Sequence, residues 1–395
     1  MLPPKASASP ATPTLSPPRP YRLAPACLTA VLLLLSLLAM LGAWRAGAVH
    51  ANDFKHLWAG ARILALGANP YDPREMARFA LAQGWIDDAG RPVINPFVYL
   101  PTTALLLRPL AALPFPQAMA LWFWLNWAAA WALALIGPSL LRVRRPRLAR
   151  LVGAVFLAAG FPFYRQMTAG QMNVVTAWLI LGAAACLLRR RRGWTGALLA
   201  FGFAWKLAPA LLILALAPLR RWRSFFVGIA LALAFWGASF MIAGPAVGRD
   251  ALRTVAQMGY GRSTWQALGR DYYRDPFNQS PNALFHRLFT ENPYTKPWLA
   301  LPPAAADGLT LLVSLALAAL WLARRRTLLD SKNSNGGELS LFLAASLLML
   351  LLPSLMWDHY AVAALPALLW LAGDPRTARH WPRALALLAV TALLA

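Results

Sequence analysis

The chain has 395 residues, of which 59% are hydrophobic and only 13% charged, and its net charge is +24. A soluble domain carries about 25% charged residues, whereas apolar runs of roughly 14–22 residues recur here from end to end. A soluble enzyme is therefore excluded and an all-α polytopic membrane protein expected. Nucleic acid is also excluded as a partner. The basic residues gather in short loops at 1–23, 142–150, 189–192, 220–223, 324–338 and 374–383, as cytoplasmic topology anchors do. Cys27 and Cys186 both fall in apolar runs and support no disulfide framework and no thiolate metal site.

Residues 1–23, rich in Pro, Ser and Ala, read as a disordered cytoplasmic tail. Residues 24–395 read as one transmembrane domain. Full spans are expected near 24–44, 117–138, 150–165, 172–188, 223–243, 302–323, 339–353, 359–373 and 383–395. The first run also has a signal-peptide reading, since Val49-His50-Ala51 is loosely A-x-A-like. Cleavage there would strip the anchor that follows the tail.

Two long loops, 45–116 and 244–301, and two short ones, 166–171 and 354–358, then share the outer face. The first opens with Asn52-Asp53-Phe54-Lys55-His56-Leu57-Trp58-Ala59-Gly60. Phe54, Leu57, Trp58, Ala61, Leu64 and Ala65 have helical spacing and predict a helix lying flat on the interface. Asp53 has two readings: a cap for that helix, or a general base at the lipid–water boundary. The segment 98–113 is expected to be re-entrant or interfacial, because a crossing there would put Arg142–Arg150 outside. Tyr71-Asp72-Pro73 reads as a turn.

Gly170-Gln171-Met172-Asn173 falls at a short outer turn. The run 194–218 has arginines at both ends and is expected to be a hairpin broken at Lys206-Leu207-Ala208-Pro209. Lys206 would meet an anionic phosphate at that break, or snorkel to an interface. In the second long loop, the amides of Asn278-Gln279-Ser280-Pro281-Asn282 suit sugar hydroxyls or simple turn chemistry. Arg262, Arg270 and Arg274 offer forks for a phosphate or anchors for lipid, Arg262 foremost. Trp357-Asp358-His359-Tyr360 opens a span. There Asp358 orients His359, or it satisfies a helix N-terminus. P-loop, dinucleotide-binding, H-E-x-x-H and G-x-S-x-G motifs are all missing, and five histidines show no metal spacing.

Asp53-Phe54, Trp58-Ala59-Gly60 and Gly67-Ala68-Asn69-Pro70-Tyr71-Asp72-Pro73 resemble the opening of glycosyltransferase family 87. Its members are polyprenyl-phosphate-mannose-dependent mannosyltransferase-like proteins. Tyr99-Leu100-Pro101 resembles the family's Tyr-Pro-Pro segment, with Leu100 where proline is usual. Gly170-Gln171-Met172-Asn173, Lys206-Leu207-Ala208-Pro209, Asn278-Gln279-Ser280 and Trp357-Asp358-His359-Tyr360 follow in the family's order. Leu100 and Lys55-His56 depart from its commonest pattern.

The resemblance implies a GT-C-type helical bundle with re-entrant or broken helices and interfacial helices in long extracytoplasmic loops. It implies a polyprenyl-phosphate sugar donor, mannose foremost, and a glycan or glycolipid acceptor. The implied transfer is inverting and metal-independent, with no cofactor, in the cell membrane and on its extracytoplasmic side. Asp53 would map to the general base and His359 to the histidine of the late motif. Lys206, Gln171, Asn173, Asn278, Gln279, Asp358, Tyr99 and Arg262 would bind substrates. Two other readings use the same features: a transporter or flippase for a lipid-linked sugar, and a non-catalytic membrane assembly subunit.

Overall fold

The computed structural model describes residues 24–191, 193–260, 274–329 and 334–374. The expected tail at 1–23, the phosphate clamp at Arg262 and the span at 383–395 lie outside the described residues. In order, the helices are α1 (Ala24–Arg45), α2 (Asn52–Ala65), α3 (Pro73–Ala82), α4 (Pro101–Ala111), α5 (Phe115–Leu140) and α6 (Pro146–Ala159). They continue as α7 (Phe161–Ala169), α8 (Asn173–Leu188), α9 (Trp194–Trp205), α10 (Ala210–Ala215), α11 (Trp222–Ala243) and α12 (Pro245–Ala256). The last are α13 (Pro281–Phe289), α14 (Pro303–Leu329), α15 (Ser334–Leu351) and α16 (Leu365–Gly373), with a 3-10 segment, Asp358–Ala364, leading into α16. Only isolated bridges, Ile86 with Pro92 and Asn278 with Trp357, interrupt the all-α pattern among the described residues.

Ala26–Arg45, Phe115–Leu140, Trp222–Ala243 and Pro303–Arg326 are each long and apolar enough to cross a membrane. The architecture is that of an all-α, polytopic membrane protein. The run expected as one span at 150–165 is instead a bent pair, α6 and α7, meeting at 57°. Pro162 has no N–H and its ring clashes with the preceding turn, so α6 stops at Ala159 and the chain restarts beyond Gly160. Buried side chains of α5, α8, α15 and α16 dominate the main apolar core.

The helix expected near Phe54–Leu66 is present as α2, but its apolar face meets protein rather than lipid. Phe54, Leu57, Ala59 and Ala61 are fully buried. Phe54 stacks on Trp122 with ring centroids 5.5 Å apart, and α4 packs along the same helix. Gly60 permits this closeness, since a Cβ there would stand 2.3 Å from the Phe97 ring.

The end of α7 holds the start of α2. Ala51 N–H donates to the Thr168 carbonyl at 2.8 Å, and Trp122 Nε1 donates to the Gly170 carbonyl at 2.8 Å. Gly170 adopts φ +73°, and a Cβ on it would come within 2.7 Å of Phe54 Cβ. Ala51 is the cap residue of α2, in the left-handed region at φ 46°, ψ 31°. Ala51 has no side-chain group to cap the helix, and His50 Nδ1 accepts the Asn52 N–H at 3.3 Å, so Asp53 sits inside the first turn with its carboxylate free of that duty.

The expected break at Lys206 is also present. The α9 helix ends at Trp205, Lys206 is extended, and α10 begins after Pro209. The segment expected to be re-entrant carries α4, whose eleven residues reach about 16 Å, half a bilayer core. Its first turn repairs the break. Thr102 Oγ1 donates to the Ala204 carbonyl at 2.6 Å, and Thr103 Oγ1 to the Trp205 carbonyl at 3.0 Å. Helix-end carbonyls that would lack partners in an apolar interior are thereby satisfied.

Candidate active site

The first turn of α2, the α7–α8 turn, the α9 break and the segment 349–360 enclose a cavity of about 500 Å³. Asp53, His56, Tyr99, Gln171, Asn173 and Lys206 give it polar walls. Leu207, Leu211, Met349, Leu350 and Leu352 make another part apolar.

Asp53 presents its carboxylate from the first turn of α2, where the helix dipole favours negative charge. Its Oδ2 lies 3.6 Å from His359 Nε2, beyond hydrogen-bond length but within ion-pair range. His359 does not line the cavity and is only 4% exposed; it stands behind Asp53. Asp358 Oδ1 accepts the backbone N–H of His359 at 2.6 Å and lies 3.0 Å from Nδ1 of the same ring. Both readings of Asp358, orienting the ring and satisfying a helix start, therefore describe one contact set. Arg165 Nε completes the line, donating to Asp358 Oδ2 at 3.3 Å. The order is Arg165, Asp358, His359, Asp53, cavity.

A second network runs through amides. Asn173 Nδ2 donates to Gln166 Oε1 at 2.9 Å and to the His359 carbonyl at 3.2 Å. Its Oδ1 accepts from Lys206 Nζ at 2.8 Å, which fixes the orientation of the amide. Lys206 Nζ also lies 3.4 Å from the centroid of the Tyr360 ring. Both partners are neutral. Gln171 Nε2 donates to Tyr99 Oη at 3.0 Å, and Tyr71 Oη donates to the Tyr99 carbonyl.

His56 stacks on Tyr99 with centroids 5.6 Å apart, and its Nδ1 lies 3.1 Å from the Asn52 carbonyl. A carbonyl only accepts, so Nδ1 carries the proton and Nε2 of the neutral ring is an acceptor. Burial pushes the His56 pKa below its ordinary 6.5, with Asp53 and the Asn52 contact pulling weakly the other way.

Asn278 and Gln279 do not line the cavity. Asn278 is fully buried; its Nδ2 donates to the Ser354 carbonyl at 3.0 Å and its Oδ1 accepts from Met356 N at 2.9 Å. Gln279 Nε2 donates to the Pro276 carbonyl at 2.8 Å. The Asn278 amide positions the loop that delivers Asp358 and His359, while the Gln279 side chain bonds only within its own loop. Arg165, Gln166, His56 and Tyr360 are the site residues that sequence reasoning missed. A charged and an amide residue closing an apolar run, in Tyr164-Arg165-Gln166, were the available signal. Among the described residues no group of three or more His, Cys, Asp and Glu side chains could hold a metal ion.

The sequence pattern of glycosyltransferase family 87 matches residues 97–354, well over half of the chain. Tyr99, Gln171, Asn173 and Lys206 lie inside that match, and Asp53 and His359 flank it. A polyprenol-phosphate-mannose-dependent alpha-(1-2)-phosphatidylinositol pentamannoside mannosyltransferase of Mycolicibacterium smegmatis (strain ATCC 700084 / mc(2)155) is 27% identical over 291 residues. The alignment takes in 73% of this chain and 64% of that protein. The chain thus spans a little under two thirds of the length of the curated relative it matches. No solved structure matches significantly. With its family pattern running through the cavity walls, the chain belongs to glycosyltransferase family 87.

Proposed function

We propose that this protein transfers a hexose, mannose foremost, from a polyprenyl-phosphate sugar to a glycan or glycolipid acceptor, by inversion, at an extracytoplasmic cavity. The observation that carries this reading is the pairing within one cavity of a carboxylate, Asp53, with a lysine, Lys206, whose partners are neutral. A cavity of about 500 Å³ is in the range of small-molecule sites. The apolar wall at Leu207, Leu211 and Met349 gives the first isoprene units a place to lie.

Asp53 accepts the proton of an acceptor hydroxyl. The oxygen forms a bond to the anomeric carbon as the bond from that carbon to the phosphate oxygen breaks. The electron pair leaves with the polyprenyl phosphate, and the sugar inverts in one displacement. Negative charge grows on the leaving phosphate, and the Lys206 ammonium stabilises it more in the transition state than before. His359, held by Asp358, keeps the Asp53 carboxylate facing the acceptor. Tyr99, Gln171 and His56 supply hydroxyl, amide and imidazole partners for the sugar ring, while Asn173 is committed to holding Lys206. The acceptor class rests on the relative's printed substrate, a phosphatidylinositol mannoside.

The test is incubation of the purified protein with labelled polyprenyl-phosphate mannose and a membrane extract, followed by identification of the labelled product and its anomeric configuration. Asp53→Asn is expected to lower transfer by about 10²–10⁴-fold, the usual contribution of a general base, with donor binding retained. Transfer at the parent rate in that variant would sink the assignment.

A further inference from the structure

Helix α8 carries Asn173 at one end and Leu187 near the other, about 21 Å away along its axis. A second cavity, of about 270 Å³, lies at that far end, between the α8–α9 turn and the α10–α11 turn. Arg190 and Arg191 line it from one turn, and Arg220, Arg221 and Arg223 from the other. Thr195 and Ser224 add hydroxyls to its wall.

The charge here exceeds what the fold neutralises. Glu338 pairs with Arg221 through both carboxylate oxygens. Arg191, Arg220 and Arg223 make no ion pair among the described residues. Guanidinium groups converging on one cavity repel each other unless an anion joins them. One further feature points the same way. Helices α9 and α11 start at this cavity without side-chain caps, so their first N–H groups and positive ends add to the field.

The rim distinguishes a lipid from a soluble anion. Trp194 is 64% exposed, Trp222 54% and Phe226 62%, and all three stand at the starts of α9 and α11. Exposed tryptophans of this kind sit at headgroup level in a bilayer, with acyl chains against their rings. The arginine distribution assigns this side to the cytoplasm, where the leaflet is rich in anionic lipid. We propose that this cavity binds the phosphate group of an anionic membrane phospholipid, held by Arg191, Arg220 and Arg223 and flanked by Trp194 and Trp222.

The test uses the full chain in neutral detergent and follows thermal unfolding with added dioleoyl phosphatidylglycerol, dioleoyl phosphatidylcholine or inorganic phosphate. Phosphatidylglycerol is expected to raise Tm in a saturable way, and the other two to leave it unchanged. The triple variant Arg191→Lys, Arg220→Lys, Arg223→Lys keeps every topological charge and removes the planar forks. Its apparent affinity for phosphatidylglycerol should fall about tenfold or more, the equivalent of one charge-assisted hydrogen bond. Where the triple variant fails to fold, Arg220→Lys alone is read for the same direction of change. Equal protection by inorganic phosphate would assign a soluble anion and overturn the lipid. No phosphatidylglycerol-dependent shift, or one unaltered by the lysine substitutions, would overturn the site.

Discussion

The Asp53 carboxylate lies 3.6 Å from Nε2 of His359, a ring that is itself shut out of the cavity. One residue faces the substrates and the other faces the residue that does. This ordering makes His359 a positioning residue under the proposed chemistry.

His359→Asn should therefore cost less than Asp53→Asn. A loss on the order of tenfold in kcat is expected, equivalent to about 1.4 kcal/mol, with KM for the lipid donor nearly unchanged. Steady-state kinetics on the two variants side by side checks this. A His359 variant as inactive as Asp53→Asn would show that the ring itself takes the proton.

Lys206 is expected to act on the leaving phosphate. Lys206→Met should lower kcat by roughly 10²–10³-fold, the scale for removing one oriented donor from a developing charge. Folding should survive, since an apolar chain of similar length replaces a costly buried cation. The readout is kcat together with Tm. Loss of activity accompanied by a large fall in Tm would reassign the lysine to structure.

Thr102 and Thr103 are predicted to matter for stability out of proportion to their size. Thr103→Val leaves the Trp205 carbonyl without its donor, and Thr102→Val leaves the Ala204 carbonyl only the 3.4 Å contact from Thr103, at about 1–3 kcal/mol apiece. Thermal unfolding in detergent should show the loss. KM for the donor should rise in the same variants, because the carbonyls they hold belong to the turn that presents Lys206.

The buried His56 gives a pH dependence with a defined sign. Its folded-state pKa is depressed by burial, so the unfolded chain binds more protons just below 6.5. The stability this neutral ring supports is complete above 6.5 and falls as pH drops from there toward the folded-state value. His56→Gln should flatten that part of a Tm profile taken between about pH 8 and pH 5. An unchanged slope would show that another group titrates.

Local chemistry was legible in the sequence where it acts over a few residues. Pro209 following Lys206 announced a break, and apolar spacing announced α2. Burial of α2 was not legible, because its cover comes from Phe115 and Trp122 on another helix. Arg165 was missed because its partner, Asp358, is 193 residues away. Asn278 looked like a sugar ligand because an amide that serves a hydroxyl serves a backbone equally well. Only the fold reveals that Ser354 and Met356 already occupy it. Asp53 and His359 were found separately by their motifs, and their contact needed the α7–α2 junction and the Asn278 loop together.

Ala51 sits two residues before the proposed base in a backbone region that costs a residue with a Cβ about 1–2 kcal/mol. Its N–H is tied to Thr168, so the first turn of α2 leaves in one direction only. The protein thus gives up folding stability to fix the direction in which the Asp53 carboxylate points. Glycine at this position would release the tension and let Asp53 wander. Selection for heat resistance and selection for turnover would then pull residue 51 toward different amino acids.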